Sequence, residues 1–179
     1  PFWSADNVKI AFVGRNAILH IVNIRDGSFA RIDQFSEGYG HYLDWSPNSQ
    51  ILAYSNRNEI VLYDYPTHTV RKINQPNATD VQWFPNGTEL LFQAPDASGI
   101  SQLYRISTAG TNKVQLTQNT GGRLNYVRLS DDGKFALYTT PGASVSLILT
   151  VELATGRTFE IQGGPLAKNY FPEWSNHQE

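Results

Sequence analysis

The sequence predicts an all-β protein, a β-propeller made of four-stranded antiparallel blades. Three observations predict it. A segment built around an aromatic anchor recurs along the whole chain. Each copy is followed by the same succession of short apolar runs and turn residues. No window sustains an apolar period of 3.6 with helix caps, so helix content should be close to nil. The anchors are Trp3, Trp45, Trp83, Leu129 and Trp174, spaced 42, 38, 46 and 45 residues apart. Four-stranded blades repeat at about 40–45 residues. Helical solenoids share that period, so strand chemistry has to decide between them.

The innermost strand of each unit, strand a, ends at the anchor. It runs into a turn of Ser, Pro, Asp, Asn or Gly: Ser4 to Asn7, Ser46 to Ser49, Phe84 to Gly87 and Ser130 to Gly133. These residue types supply turn geometry. Strand b follows at Val8 to Phe12, Gln50 to Tyr54, Thr88 to Phe92 and Lys134 to Tyr138. Strand c is expected at Ala17 to Ile24, Glu59 to Tyr65, Gln102 to Ser107 and Ser146 to Leu153. Asp26-Gly27, Ala109-Gly110 and Thr155-Gly156 mark hairpins. The short outer strand d is expected at Phe29 to Phe35, Val70 to Ile73, Lys113 to Thr117 and Thr158 to Ile161. The blades then span about 1–38, 39–77, 78–121 and 122–166, with the inner strand of a fifth at 170–175. Each Trp should be buried as a wedge between blades, since it brings a large apolar area and an N–H that wants a partner.

The motif Trp45-Ser46-Pro47-Asn48-Ser49, with its relatives at Trp3, Trp83 and Trp174, resembles the TolB-like (WD40-like) propeller repeat. That family reads roughly Pro-x-Trp-Ser-Pro-Asp-Gly-Lys and then an Ile-Ala-Phe strand. Phe171-Pro172-Glu173-Trp174-Ser175 is similar to its first part, Ser130-Asp131-Asp132-Gly133-Lys134 to its turn, and Ile10-Ala11-Phe12 to its strand. The likeness covers essentially the whole chain, although Leu129 stands where a Trp is expected. It implies a six-bladed ring, which at this period needs roughly 260 residues. The chain should therefore be an open arc of about four blades, or one that borrows strands from a second copy. The same repeat serves non-catalytic and enzyme-associated propellers, so the resemblance does not assign an activity.

Composition narrows the function. Hydrophobic residues make up 40% and charged residues 17%, and the net charge is −2. That balance leaves no basic footprint for nucleic acid or an anionic membrane. No apolar run reaches the ~18 residues of a membrane-spanning helix. There is no cysteine, which removes disulfides, thiolate metal sites and a cysteine nucleophile. There is no methionine either, so the translated start should lie upstream.

His20, His41, His68 and His177 share no metal-ligand spacing, and no Gly-x-Ser-x-Gly elbow occurs. Ser130 to Gly133 faintly resembles a calcium loop, but its place in the repeat makes it a hairpin turn. No cofactor, metal or catalytic residue is expected. Two sets of residues are candidates for binding. The residue before the anchor is Asp44, Gln82, Arg128 or Glu173. Buried charge is costly unless paired or wet, so these four should line a water-filled channel, pairing between neighbouring blades. The loops joining strand d to the next strand a share one rim with the b–c loops. They carry Tyr39, His41, Arg57, Asn77, Arg123, Tyr126, Lys168 and Tyr170, and Tyr and Arg are favoured binding anchors.

These observations point to a non-catalytic scaffold that binds a protein or peptide on the d–a loop face. The resemblance implies a periplasmic or otherwise extracytoplasmic bacterial setting. Two other readings stay open. One is the substrate-gating propeller of a prolyl-oligopeptidase-like hydrolase whose catalytic domain lies outside this chain. The other is the sensor domain of a membrane-anchored winged-helix transcription regulator.

Overall fold

A computed structural model describes residues 1–35, 42–56, 58–121, 123–140, 147–161 and 174. The described residues form four antiparallel sheets of four strands. The first holds β1 (Phe2–Trp3), β2 (Lys9–Val13), β3 (Ile18–Asn23) and β4 (Phe29–Gln34). The second holds β5 (Leu43–Trp45), β6 (Ile51–Asn56), β7 (Glu59–Asp64) and β8 (Thr69–Asn74). The third holds β9 (Thr79–Trp83), β10 (Glu89–Pro95), β11 (Ser101–Ser107) and β12 (Val114–Gln115). The fourth holds β13 (Asn125–Leu129), β14 (Phe135–Thr140), β15 (Leu147–Glu152) and β16 (Arg157–Ile161). Each sheet is a plain meander, every strand paired with its neighbour in sequence. Among the described residues the only helical segment is the 3₁₀ turn Arg15–Ala17.

The repeat is visible at the turn after strand a. Its last residue is left-handed in every blade: Asn7 at φ 54°, Ser49 at 60°, Gly87 at 66° and Gly133 at 69°. The residue before it accepts a backbone N–H two positions on: Asp6 from Val8, Asn48 from Gln50, Asn86 from Thr88 and Asp132 from Lys134. In three blades a serine donates to that side chain, at 2.5 Å (Ser4), 2.6 Å (Ser46) and 2.8 Å (Ser130). The same serine then accepts the first N–H of strand b. Asx geometry of this kind turns the chain without a regular ladder. Blade three has Phe84 at the serine position and spends that residue on packing instead.

Alternation along strand b sets the core. Leu52 and Tyr54 pack toward Ala11, Leu19 and Ile21 of the first sheet, while Ala53 packs toward Val81, Trp83 and Leu90 of the third. Leu91 and Leu103 of the third meet Val127, Ala136 and Tyr138 of the fourth. Each leucine, isoleucine or valine among them contributes about 1.5–3 kcal/mol when fully buried. The core therefore lies between blades, not within one.

Two expectations need correction. Trp45 and Trp83 are buried, but Trp3 is 52% exposed because no described residue of a preceding blade lies against it. The outer strand expected at Lys113 to Thr117 shrinks to Val114–Gln115. The Thr117 hydroxyl takes the Leu103 N–H at 2.9 Å, displacing the backbone ladder there.

Candidate functional site

A cavity of about 660 Å³ runs along the inner strands of all four sheets. The anchor-adjacent residues Asp44, Gln82 and Arg128 line it together with Tyr42, Trp45, Trp83 and Leu129. Two of them clip one blade to the next. The Asp44 carboxylate accepts the Trp83 backbone N–H at 2.6 Å. Gln82 does the same one blade on, accepting the Leu129 N–H at 2.9 Å, and its amide also donates to the Val127 carbonyl at 3.0 Å. The anchors add a second clip. The Trp45 indole donates to the Phe2 carbonyl at 3.2 Å, and the Trp174 indole donates to the Arg128 carbonyl at 3.1 Å.

Three residues before each anchor stand Tyr42, Asp80 and Tyr126. Strands β9 and β13 each carry a register shift there, between the Leu91 and Gln93 pairings of β10 and between Asn125 and Arg128. Asp80 and Tyr126 both sit at φ 53°, unusual for residues other than glycine. Bulges of this kind re-aim side chains. The Arg128 guanidinium lies 5.2 Å from the Tyr42 ring centre and donates to the Val127 carbonyl at 2.9 Å.

The electrostatics follow from burial. Loss of water lifts the Asp44 carboxyl to about 7, against the opposing pull of the Trp83 and Trp45 N–H groups and of Arg128. Burial, and then the Asp80 carboxylate, push the Tyr42 phenol up, while Arg128 pulls it down.

Of the residues expected on the loop rim, Tyr126 is half-buried and close enough to Tyr42 to affect its ionisation. Asn77 and Arg123 are exposed and do not line the cavity. Tyr39, His41, Arg57, Lys168, Tyr170 and the channel candidate Glu173 lie outside the described residues. Sequence reasoning missed Tyr42 on the cavity wall, the bulge at Asp80 on β9 and the unmet Trp83 indole. The signal for the first two was their shared offset of three from the anchor. Among the described residues no group of three His, Cys, Asp or Glu side chains could hold a metal ion, and no helix is long and apolar enough to cross a membrane.

The arrangement matches known structures. The chain superposes on TolB from Acinetobacter baumannii with a TM-score of 0.71 at 22% identity, covering 89% of this chain and 42% of that one. The fold is that of a TolB-like β-propeller. The same propeller fold appears in hydrazine synthase of Kuenenia stuttgartiensis (TM-score 0.71, 14% identity, 89% of this chain and 48% of that one). It appears too in oligogalacturonate lyase of Vibrio parahaemolyticus (TM-score 0.65, 14% identity, 88% and 51%). The chain thus spans about half the length of these neighbours or less. No family model and no curated protein matches the sequence.

Proposed function

We propose that this chain is a non-catalytic recognition scaffold, four blades of a six-bladed ring, that binds an extended peptide segment of a protein partner. The site is the channel mouth where the d–a loops meet the inner strands, in a periplasmic or otherwise extracytoplasmic setting. The observation that carries the reading is the cavity wall formed by Asp44, Gln82 and Arg128, the same repeat position of three successive blades. The cavity measures about 660 Å³, and the inner strands of two of these blades carry left-handed backbone at Asp80 and Tyr126. Such backbone costs of order 1–3 kcal/mol and clusters at functional sites. Pockets of about 300–1,000 Å³ suit small ligands and peptide segments. The Trp174 clip on the fourth blade supports the arc, because it repeats the Trp45 clip on the first. The extracytoplasmic setting rests on the family resemblance.

The test is selection of linear heptapeptides displayed on phage, followed by calorimetric titration of the winners. Tyr126→Ala and Arg128→Ala should each weaken the selected peptides at least tenfold and leave them uncleaved by mass spectrometry. Selected peptides that ignore both substitutions, or that the native chain hydrolyses, would overturn the proposal.

A further inference from the structure

The repeat contains its own control for Asp44. Asp44 and Gln82 occupy the same position in successive blades and make the same bond to the next anchor's backbone N–H. Gln82 does so as a neutral amide and adds a bond to Val127. The latch therefore needs an acceptor oxygen, not a charge. An asparagine or glutamine at position 44 would serve it without the cost of desolvating a carboxylate. Among the described residues Asp44 makes no ion pair within 4.0 Å. Asp44 lines the cavity, and the charge its carboxylate carries above about pH 7 is not needed for the latch.

A second, independent feature sits beside it. Trp83 lines the same cavity and is only 6% exposed, yet its indole N–H has no partner among the described residues. By the repeat it should donate to a carbonyl of the preceding inner strand, as Trp45 and Trp174 do. A buried unmade hydrogen bond costs about 1–3 kcal/mol. At the junction of blades two and three the wall thus offers a carboxylate, and behind it a buried indole N–H that no described residue satisfies.

We infer that this junction is a subsite for a cationic side chain of a bound peptide, with Asp44 taking a lysine ammonium. The inference rests on the peptide-binding reading above and adds the ligand's charge. Arg128 and Tyr42 stand on the adjoining wall, where the guanidinium makes one bond to the Val127 carbonyl and lies over the Tyr42 ring. The other charged group on the cavity wall is Asp131, in the turn after β13. Tyr54 on the neighbouring β6 turns its hydroxyl away to Asp33 at 3.1 Å.

The probes are the peptide acetyl-Gly-Ser-Gly-Lys-Gly-Ser-Gly-amide, its acetyl-lysine counterpart, and n-butylammonium chloride, each titrated into the 1–179 chain and followed by amide NMR shifts. The lysine peptide should bind at least tenfold tighter than the acetyl-lysine peptide, with shifts centred on Asp44 and on the Trp83 backbone N–H that it holds. Its affinity should rise about tenfold from pH 6 to pH 8, as a carboxyl titrating near 7 becomes ionised. Asp44→Asn, which keeps the latch, should erase both the preference and the pH dependence. Should that variant fail to fold, the probe pair and the pH series on the native chain still decide. Equal binding of the two peptides overturns the subsite. Butylammonium shifts at Asp44 without binding of either peptide would support the subsite and sink the peptide reading. No shifts from any probe overturn both.

Discussion

At the scale of single residues, backbone sign and desolvation make two opposite predictions. Gly133 is left-handed at φ +69°, and a Cβ there would stand 2.8 Å from Pro85 Cδ and 3.3 Å from Phe84 Cδ1. Gly87 fills the same slot one blade earlier at φ +66°, but its Cβ would meet Pro47 Cδ at 3.8 Å, an ordinary contact. Gly133→Ala should therefore cost about 2–4 kcal/mol, strain plus overpacking, and Gly87→Ala only about 1 kcal/mol of strain. Equal costs in urea titrations would refute the steric account. Asp44 runs the other way. Its folded pKa is about 7 against 3.8 for the free carboxyl. The folded state binds the proton more tightly, so this group's destabilisation is absent below about pH 4, grows through pH 4–7 and is complete above 7. Asp44→Asn should stabilise the chain at pH 8 by on the order of 2–4 kcal/mol, at 1.36 kcal/mol per unit of pKa. The gain should fade as pH falls toward 4. Loss of stability at pH 8 would mean that Asp44 is already neutralised.

At the scale of strands and turns, most of the meander could be read directly. Asp26-Gly27, Ala109-Gly110 and Thr155-Gly156 announced their hairpins, and Gly27, Gly110 and Gly156 are indeed left-handed. Blade two hid its turn, because His68 takes that slot at φ 56° and holds it with a 2.7 Å bond to the Tyr63 hydroxyl. Nothing local in Tyr-Pro-Thr-His signals that bond, which depends on Tyr63 five residues back. The bulges at Asp80 and Tyr126 were likewise invisible, since neither residue type asks for positive φ and the register shift is imposed by pairing with β10 and β14. Asp44 and Gln82 were legible as polar residues at one repeat position, but not as clips between blades. That role can be measured. Gln82→Leu removes the acceptor for the Leu129 N–H and one donor to Val127, while Arg128 still serves the Val127 carbonyl. One buried N–H is left unmade, and the expected cost is about 1–3 kcal/mol. Hydrogen exchange should quicken at Leu129 before it does in β14. Unchanged exchange at Leu129 would show that the clip carries no load.

At the scale of the whole molecule, the blades are wedged by their anchors, and the anchors report which junctions are filled. Trp45 and Trp83 are 5% and 6% exposed, whereas Trp3 in the same repeat position is 52% exposed. Val13, Ile24 and Phe29 of the first sheet are also exposed apolar residues. At the other end, Trp174 already occupies the slot on the fourth blade, donating to Arg128 and lying 6.4 Å from the Phe135 ring. Trp3 of the same chain therefore finds no vacant carbonyl there, and a closed ring of four blades would need Trp3 and Trp174 to share one bond. An open arc makes an asymmetric prediction about the two tryptophans. Truncating Trp45 removes a wedge packed on two sheets and its bond to Phe2, so Trp45→Ala should cost about 3–5 kcal/mol. Truncating the half-exposed Trp3 should cost under about 1 kcal/mol in the same 1–179 chain. The emission of Trp3 should be quenched readily by acrylamide, and that quenching should disappear in Trp3→Phe. If Trp3→Ala proved as costly as Trp45→Ala, the first blade's outer face would be covered in solution. A concentration-dependent sedimentation profile would then identify a second copy as the cover, and the arc would be one half of a shared assembly.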